Sequence, residues 1–413
     1  MRVVVINTGT ELLLGAVLNT HLTFIAREIF PLGLRVDRQV TVPDGEAIAE
    51  TLAAEFPGTD IIFITGGLGP TTDDITREAA AGLLGLALKR DPEVADAITT
   101  RLRTRGYPMT DRILRQADVP EGAVVLPNAH GTAPGLYLAA QSRAVGSTPL
   151  LFLLPGPPRE LHPMFRESVI PILRQIVPDR GAVECRTFRI AGVGESVVEA
   201  AVGPQILALP GVELGYCARL GEVDVRVIGT TAVLDAAEGL IRNAFAASVY
   251  TAGNEKLEEV VVRLLTDSKQ RVTTAESCTG GFVAHRITNV AGASAVFDAG
   301  YVTYANEAKV QMLGVDARLI EEHGAVSENV ARAMAEGALA KSGATFALAI
   351  TGIAGPAGGS AEKPVGTAFI ALAEKSVETI VQRRKFLNDR ESFKQLASQA
   401  ALEMLRQRLV RSS

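Results

Sequence analysis

A chain of 413 residues has room for two or three domains, and 47% hydrophobic with 21% charged residues suits a globular protein with sizeable cores. A net charge of −5 and the lack of any Lys/Arg run argue against direct nucleic-acid binding, and no apolar run reaches the ~18 residues of a membrane helix. Three scattered cysteines, Cys185, Cys217 and Cys278, form neither a disulfide framework nor a CxxC metal spacing. The chain opens on an apolar strand with no signal peptide, so a reduced, cytoplasmic setting is expected.

Residues 3–6 read as a buried strand, followed by a polar loop, Asn7 to Glu11, and a helix over 19–30. A second strand is predicted over 34–42, and Asp44 is read as the cap of a helix running to about Phe56. Residues 60–64 form a third strand that ends in Thr65-Gly66-Gly67-Leu68-Gly69-Pro70-Thr71-Thr72-Asp73-Asp74. This alternation predicts an α/β domain with a mainly parallel sheet, whose ligands sit at the carboxyl ends of its strands. Gly66, Gly67 and Gly69 suit a phosphate held on backbone amides, and Asp73 or Asp74 a divalent cation. The same residues also fit a plain turn before an Asp-rich helix start. Residues 128–135 are another polar, glycine-containing loop. A strand over 150–154 runs into Pro155-Gly156-Pro157-Pro158-Arg159-Glu160. Glu11, Asp73, Asp74 and the turn at Pro155 and Gly156 are expected to converge on one pocket.

Residues 177–253 change character. Short strands over 186–190, 212–217 and 223–228 and helices over 196–205 and 232–246 predict a small α+β module without reactive side chains, suited to spacing or dimerisation.

The third unit, 254–413, is again α/β. An amphipathic helix over 256–267 leads to a strand at 271–275 and then to Glu276-Ser277-Cys278-Thr279-Gly280-Gly281. Further strands are predicted over 295–303, 346–350, 365–373 and 377–385, with helices over 330–341 and 391–409. The loop after the first strand offers two adjacent nucleophiles, Ser277 and Cys278, and glycines that let a ligand approach the backbone. A plain helix cap is the alternative. Ser294, Tyr304, Lys309, Thr351, Gly352 and Arg390 complete the polar inventory. His285 lies two turns along the next helix and His323 is remote, which disfavours a Ser-His-Asp triad. A Ser-Lys pair is open if burial leaves Lys309 neutral, although Lys309 also reads as a surface lysine. Amides near Gly280 or Gly352 suit an oxyanion, and Arg390 a phosphate or carboxylate. The strand-borne loops ITGGLGP (64–70) and ITGIAGP (350–356) repeat one device, which suggests two anion sites.

Eight motifs in order resemble one family. TTAESCTGG (273–281), VTYANEAK (302–309), GAVSE (324–328) and TGIAGPAGGSAEKPVGT (351–367) look like the CinA C-terminal domain, a nicotinamide mononucleotide deamidase. NTGTELLLG (7–15), TGGLGPTTDDIT (65–76), GTAPG (131–135) and PGPPREL (155–161) look like the CinA N-terminal domain, which resembles molybdopterin-binding proteins in fold. The resemblance implies domains at 1–176, 177–253 and 254–413, and hydrolysis of nicotinamide mononucleotide to nicotinate mononucleotide and ammonia. It implies Ser277 as nucleophile and Lys309 as its base. Tyr304, Ser294 and Thr351 would contact the nucleotide or support the pair, and Arg390 would hold its charged end. For residues 1–176 it implies an ADP-ribose pyrophosphatase using Mg, Mn or Co, with K as a further ion. The expected assembly is a homodimer. A non-catalytic pterin- or nucleotide-binding or competence-associated protein is the alternative. Two departures stand out: His21 where the family has Asn, which could even add a metal ligand, and Leu387-Asn388 where it has Pro-Gly.

Overall fold

The computed structural model describes residues 1–141, 148–178, 183–387 and 389–412. It divides into two compact units, Met1–Val183 and Glu184–Ser413. Among the described residues no helix is long and apolar enough to cross a membrane.

The first unit is built on strands β1 (Val3–Thr8), β2 (Val36–Val42) and β3 (Ile61–Thr65). Strands β4 (Leu88–Arg90) and β5 (Asp118–Pro120) pair as a separate ribbon, and β6 (Val124–Leu126), β7 (Gly135–Leu138) and β8 (Leu150–Leu154) complete the main sheet. Its order is β2-β1-β3-β8-β7-β6, parallel through β8 and antiparallel beyond. In β1, β3 and β8 every residue is buried, as a strand covered by helices on both faces requires. Side-chain alternation sorts them between two cores. Val3, Val5, Phe63 and Phe152 pack with Phe24 and Phe165, while Val4, Ile6, Ile62 and Ile64 pack with Ile48 and Leu52. One local expectation fails. The helix after β2 is Ala47–Glu55 with Glu46 at its cap, and Asp44 instead accepts from Thr10 N (3.0 Å) and Thr10 Oγ1 (3.3 Å), tying down the loop after β1.

The second unit contains two sheets. Strands β9 (Glu184–Ala191), β10 (Glu213–Arg219), β11 (Glu222–Gly229) and β12 (Val249–Thr251) pair antiparallel in the order β10-β11-β9-β12. With helices Glu195–Leu207 and Thr231–Phe245 this is a doubled split β-α-β arrangement around Phe188, Val225 and Leu234. Strands β13 (Val272–Glu276), β14 (Phe297–Val302), β15 (Phe346–Gly352), β16 (Thr367–Glu374) and β17 (Val377–Lys385) form the other, in the order β14-β13-β15-β16-β17. The first three are parallel and the last two antiparallel. Helices Leu257–Asp267, Phe282–Thr288 and Arg390–Ser412 cover one face of this sheet, and Glu328–Ser342 covers the other. The mixed α/β class agrees with the sequence reading.

Candidate functional site

The parallel register of the C-terminal sheet decides which loops meet. Glu276, the last residue of β13, lies abreast of Val302 at the end of β14 and of Ile350 near the end of β15. Ser277, Thr303 and Thr351 therefore emerge at the same edge. The Ser277 N–H donates to the Ile350 carbonyl (2.9 Å) and Thr303 N to the Glu276 carbonyl (2.9 Å), which extends the ladder one residue into each loop.

Lys309 reaches this edge from the helix Asn306–Leu313. It is 1% exposed, and its Nζ lies 3.2 Å from Ser277 Oγ, 2.9 Å from the Thr303 carbonyl and 3.3 Å from the Tyr304 carbonyl. Three acceptors suit an ammonium. Two carbonyls and one hydroxyl equally suit a neutral amine that donates twice and receives the Ser277 O–H on its lone pair. Burial favours the second arrangement, since desolvation pushes the Lys309 amine below its ordinary range. No carboxylate faces Nζ closely enough to form an ion pair among the described residues. Of the two nucleophiles, Cys278 is the poorer: its side chain packs into the hydrophobic core, and burial pushes the thiol up to about 12.

Other expectations need correction. Two of the amides that open the helix after the loop are taken, because the buried Glu276 carboxylate accepts from Val283 N (3.0 Å) and Ala284 N (2.9 Å), and Gly280 N donates to the Ser277 carbonyl (3.1 Å). Gly280 and Gly281 serve the turn itself, at φ +65° and +92°. Ser294 sits in the short turn Ala293–Ala295 before β14, whose first residue pairs with Val272, so it lies at the opposite edge of the sheet from Ser277. Gly352 is explained by packing: a Cβ there would stand 2.7 Å from the Thr367 carbonyl and 2.9 Å from Phe393. Thr351 is buried and its hydroxyl donates to the Ala325 carbonyl (2.8 Å), bracing β15 rather than pointing at a ligand. The hydroxyl of Thr279, fully buried next to Ser277 and Cys278, has no hydrogen-bond partner among the described residues.

Tyr304 is 61% exposed, and its hydroxyl accepts from Arg390 Nη2 (2.8 Å), whose Nη1 donates to the Gly355 carbonyl (2.9 Å). The three loops after β14, β15 and β17 are thereby latched together. Leu387 is exposed, and the expectation for Asn388 lies outside the described residues. His285 is exposed and paired with Asn289, away from Ser277. Glu276 escaped the sequence reading, although its place one residue before the nucleophile was a signal for it.

In the first unit, the carboxyl ends of β1, β3 and β8 surround a cleft of about 400 Å³. Glu11, Gly66, Gly67, Gly69, Asp73, Asp74, Pro155 and Gly156 all line it, as expected from sequence. Asp44 and Glu160 line it too and were missed. Asp74 is engaged within its own loop, accepting from Thr71 N (2.9 Å) and the Thr71 hydroxyl. Buried Glu160 accepts from Asn128 Nδ2 (2.9 Å) and lies where a Cβ on Gly131 would be, which explains that glycine. His21 lies outside the cleft lining, with Nδ1 on Thr65 Oγ1 (2.9 Å), in a polar network with Asn7 and Asn19, and burial pushes its pKa down. It opens the helix His21–Ile29 and is held by Thr65, and so is not a spare ligand.

Three stretches of the chain match known domain families. Residues 254–409 match the CinA C-terminal domain, residues 4–175 a probable molybdopterin binding domain, and residues 185–250 the damage-inducible protein CinA KH domain. A CinA-like protein of Akkermansia muciniphila is 46% identical over 402 residues, which cover 97% of this chain and 96% of that one. A putative competence-damage inducible protein of Caldicellulosiruptor bescii is 41% identical over 415 residues, covering 98% of both. The crystal structure of competence/damage inducible protein CihA from Agrobacterium tumefaciens is 46% identical, covers 37% of this chain and 94% of its own, and superposes with a TM-score of 0.35.

Proposed function

The chain belongs to the CinA family, and from that premise we propose that its Ser277–Lys309 pair hydrolyses the amide of nicotinamide mononucleotide to nicotinate mononucleotide and ammonia. The observation that carries this reading is the buried Lys309 amine 3.2 Å from the Ser277 hydroxyl. Ser277 Oγ attacks the amide carbon while Nζ takes its proton. The tetrahedral adduct collapses with cleavage of the C–N bond, and Nζ returns the proton to the departing ammonia. Water, deprotonated by the same amine, then attacks the Ser277 ester, and Ser277 leaves with its proton restored. The carbonyls of Thr303 and Tyr304 hold Nζ in place through both half-reactions. Ammonia release from nicotinamide mononucleotide, with Ser277→Ala and Lys309→Met alongside, is the test. Full activity in either variant rejects the pair.

A second activity is supported by the cleft of the first unit. We assign it a divalent-metal-dependent hydrolysis of ADP-ribose. Among the described residues no three His, Cys, Asp or Glu side chains gather into a metal cage. The Asp73 and Asp74 carboxylates that line the cleft suit Mg or a similar hard cation, which keeps waters and substrate oxygens and needs only one or two carboxylates. Asp73 and Asp74 would hold it, and it would neutralise charge on the pyrophosphate. Cleavage without added metal counts against this assignment. A nucleic-acid role has less support: KH domains clamp nucleotides with a G-x-x-G loop, and residues 184–251 contain none. A pure binding protein would hold both nucleotides without turning them over.

A further inference from the structure

The middle module does not stand apart from the Ser277 domain. The turn between β10 and β11 lies against the long helix Arg390–Ser412. A Cβ on Gly221, at φ +81°, would stand 3.0 Å from Gln399 Cγ and 3.3 Å from Leu396 Cδ2. Glu222 beside it accepts from Gln399 Nε2 (2.7 Å) and from the Tyr250 hydroxyl (2.7 Å). Gln399 in turn accepts from Arg286 (2.7 Å), on the helix that follows the Ser277 loop. This chain of hydrogen bonds fixes the turn relative to the loop that carries the nucleophile.

A cavity of about 980 Å³ opens beside that loop. Leu220, at the tip of the β10–β11 turn, contributes one side of it. Phe282, Arg390 and Lys394 contribute the others. Asp389 and Glu391 also line it, but the Asp389 carboxylate is occupied by Glu391 N (2.9 Å), Ser392 N (3.0 Å) and Ser392 Oγ (2.7 Å). Lys394 lies one helical turn after Arg390, on the same face. It is half-buried, and among the described residues it has no carboxylate partner. Its Nζ would be 3.9 Å from a Cβ on Gly280, so the ammonium stands next to the open side of the nucleophile loop. Arg390 already spends two donors on Tyr304 and Gly355, whereas among the described residues nothing takes up the three donors of Lys394.

We infer that Lys394 holds the phosphate of the mononucleotide substrate, and that the middle module, through Leu220, supplies a wall of the same pocket. This rests on the amide-hydrolysis reading of Ser277 and Lys309. It gives the middle module a part in substrate specificity and explains why its turn is anchored to the helix that carries Lys394.

The test uses the full-length protein, with nicotinamide mononucleotide as substrate, nicotinamide riboside as substrate or competitor, and inorganic phosphate as inhibitor. Lys394→Met is expected to raise KM for the mononucleotide by about 10- to 100-fold with little change in kcat, the value of a hydrogen bond to a charged group. Affinity for the riboside, which has no phosphate, stays the same, and competitive inhibition by phosphate weakens. Lys394→Arg restores most of the loss. Leu220→Ala, at a 44% exposed position, raises KM for nucleotide and riboside alike. Equal losses for nucleotide and riboside in Lys394→Met, or an unchanged KM for the nucleotide, overturn the phosphate assignment while leaving the Ser-Lys reading intact. Unchanged kinetics in Leu220→Ala overturn the role of the middle module. A wild-type protein that releases no ammonia from the mononucleotide overturns the underlying reading and this inference with it.

Discussion

Replacing Lys309 by Met is the sharpest perturbation of the proposed chemistry, because an unbranched apolar stem still reaches the position of Cε while the amine is lost. Three contacts disappear: those to Ser277 Oγ at 3.2 Å, the Thr303 carbonyl at 2.9 Å and the Tyr304 carbonyl at 3.3 Å. A positioned general base contributes about 10²- to 10⁴-fold, so kcat should fall by that factor, or about 3–5 kcal/mol of barrier. The two carbonyls left without a donor cost stability, which loss of the buried amine's own desolvation partly offsets. The pH dependence separates a base from a packing residue. Burial holds the folded-state pKa of Lys309 below the ordinary lysine value of about 10.4. Between those two values the unfolded chain keeps a proton that the folded protein has released, so folding stability rises with pH across that window. It is fully present above the unfolded value and is lost as pH falls through the folded one. The wild type should gain stability relative to Lys309→Met as pH rises toward 10.4, measured by denaturant melts. Ammonia release should level off at high pH and fall on an acidic limb as pH drops through the lowered folded-state pKa. A variant that keeps more than about a tenth of wild-type kcat, below any loss expected for a general base, refutes the role. So does a wild-type rate that shows no acidic limb anywhere below the ordinary lysine value.

Three further outcomes follow from the geometry. With its thiol pushed up to about 12, Cys278 carries almost no thiolate at neutral pH; Cys278→Ala should keep amide hydrolysis while Ser277→Ala abolishes it, and the reverse result identifies the sulfur as nucleophile. Glu276→Gln leaves the Val283 and Ala284 amides with one acceptor oxygen in place of two, and should cost about 1–3 kcal/mol in denaturant melts; an unchanged midpoint means the helix start is held by something else. Gly131→Ala drives a Cβ into the Glu160 carboxylate and to 2.6 Å from Asn128 Nδ2, so ADP-ribose cleavage should fall while ammonia release persists, and equal loss of both activities argues against two independent sites.

The parts of the fold that were legible in the sequence are those where burial is one-dimensional. Strands β1, β3 and β8 are apolar from end to end, and their glycine- and carboxylate-bearing continuations could be assigned to one cleft because parallel strands of an open sheet present ligands at one edge. The helix Asn306–Leu313 was not legible. Only Lys309 and Leu313 are buried in it, so it has no apolar stripe at helical spacing, and its most buried long side chain is a charged type that reads as surface. What turns Lys309 inward is a pair of backbone carbonyls, at Thr303 and Tyr304, whose positions depend on where β14 ends. β12 and the ribbon of β4 and β5 are three residues each, too short for any alternation to show.

The same register explains why some polar residues were gathered wrongly. In a parallel sheet the residue that follows a strand and the residue that precedes it are separated by the strand's whole length, however close they look among motifs. Ser277 follows β13 and Thr303 follows β14, and both reach the carboxyl edge. Ser294 precedes β14 and is held at the amino edge, where Phe297 pairs with Val272. Thr351 and Gly352 belong to β15 itself, so their ladder partners Phe369 and Ala368 on β16 claim their surroundings before a ligand can. Position relative to the strand end, rather than residue chemistry, separates the residues that meet at Ser277 from those that only share its vocabulary. By that criterion Lys309 and Glu276 both act on the nucleophile loop: one from across the edge through its amine, the other from beneath it by capping the helix that the loop enters.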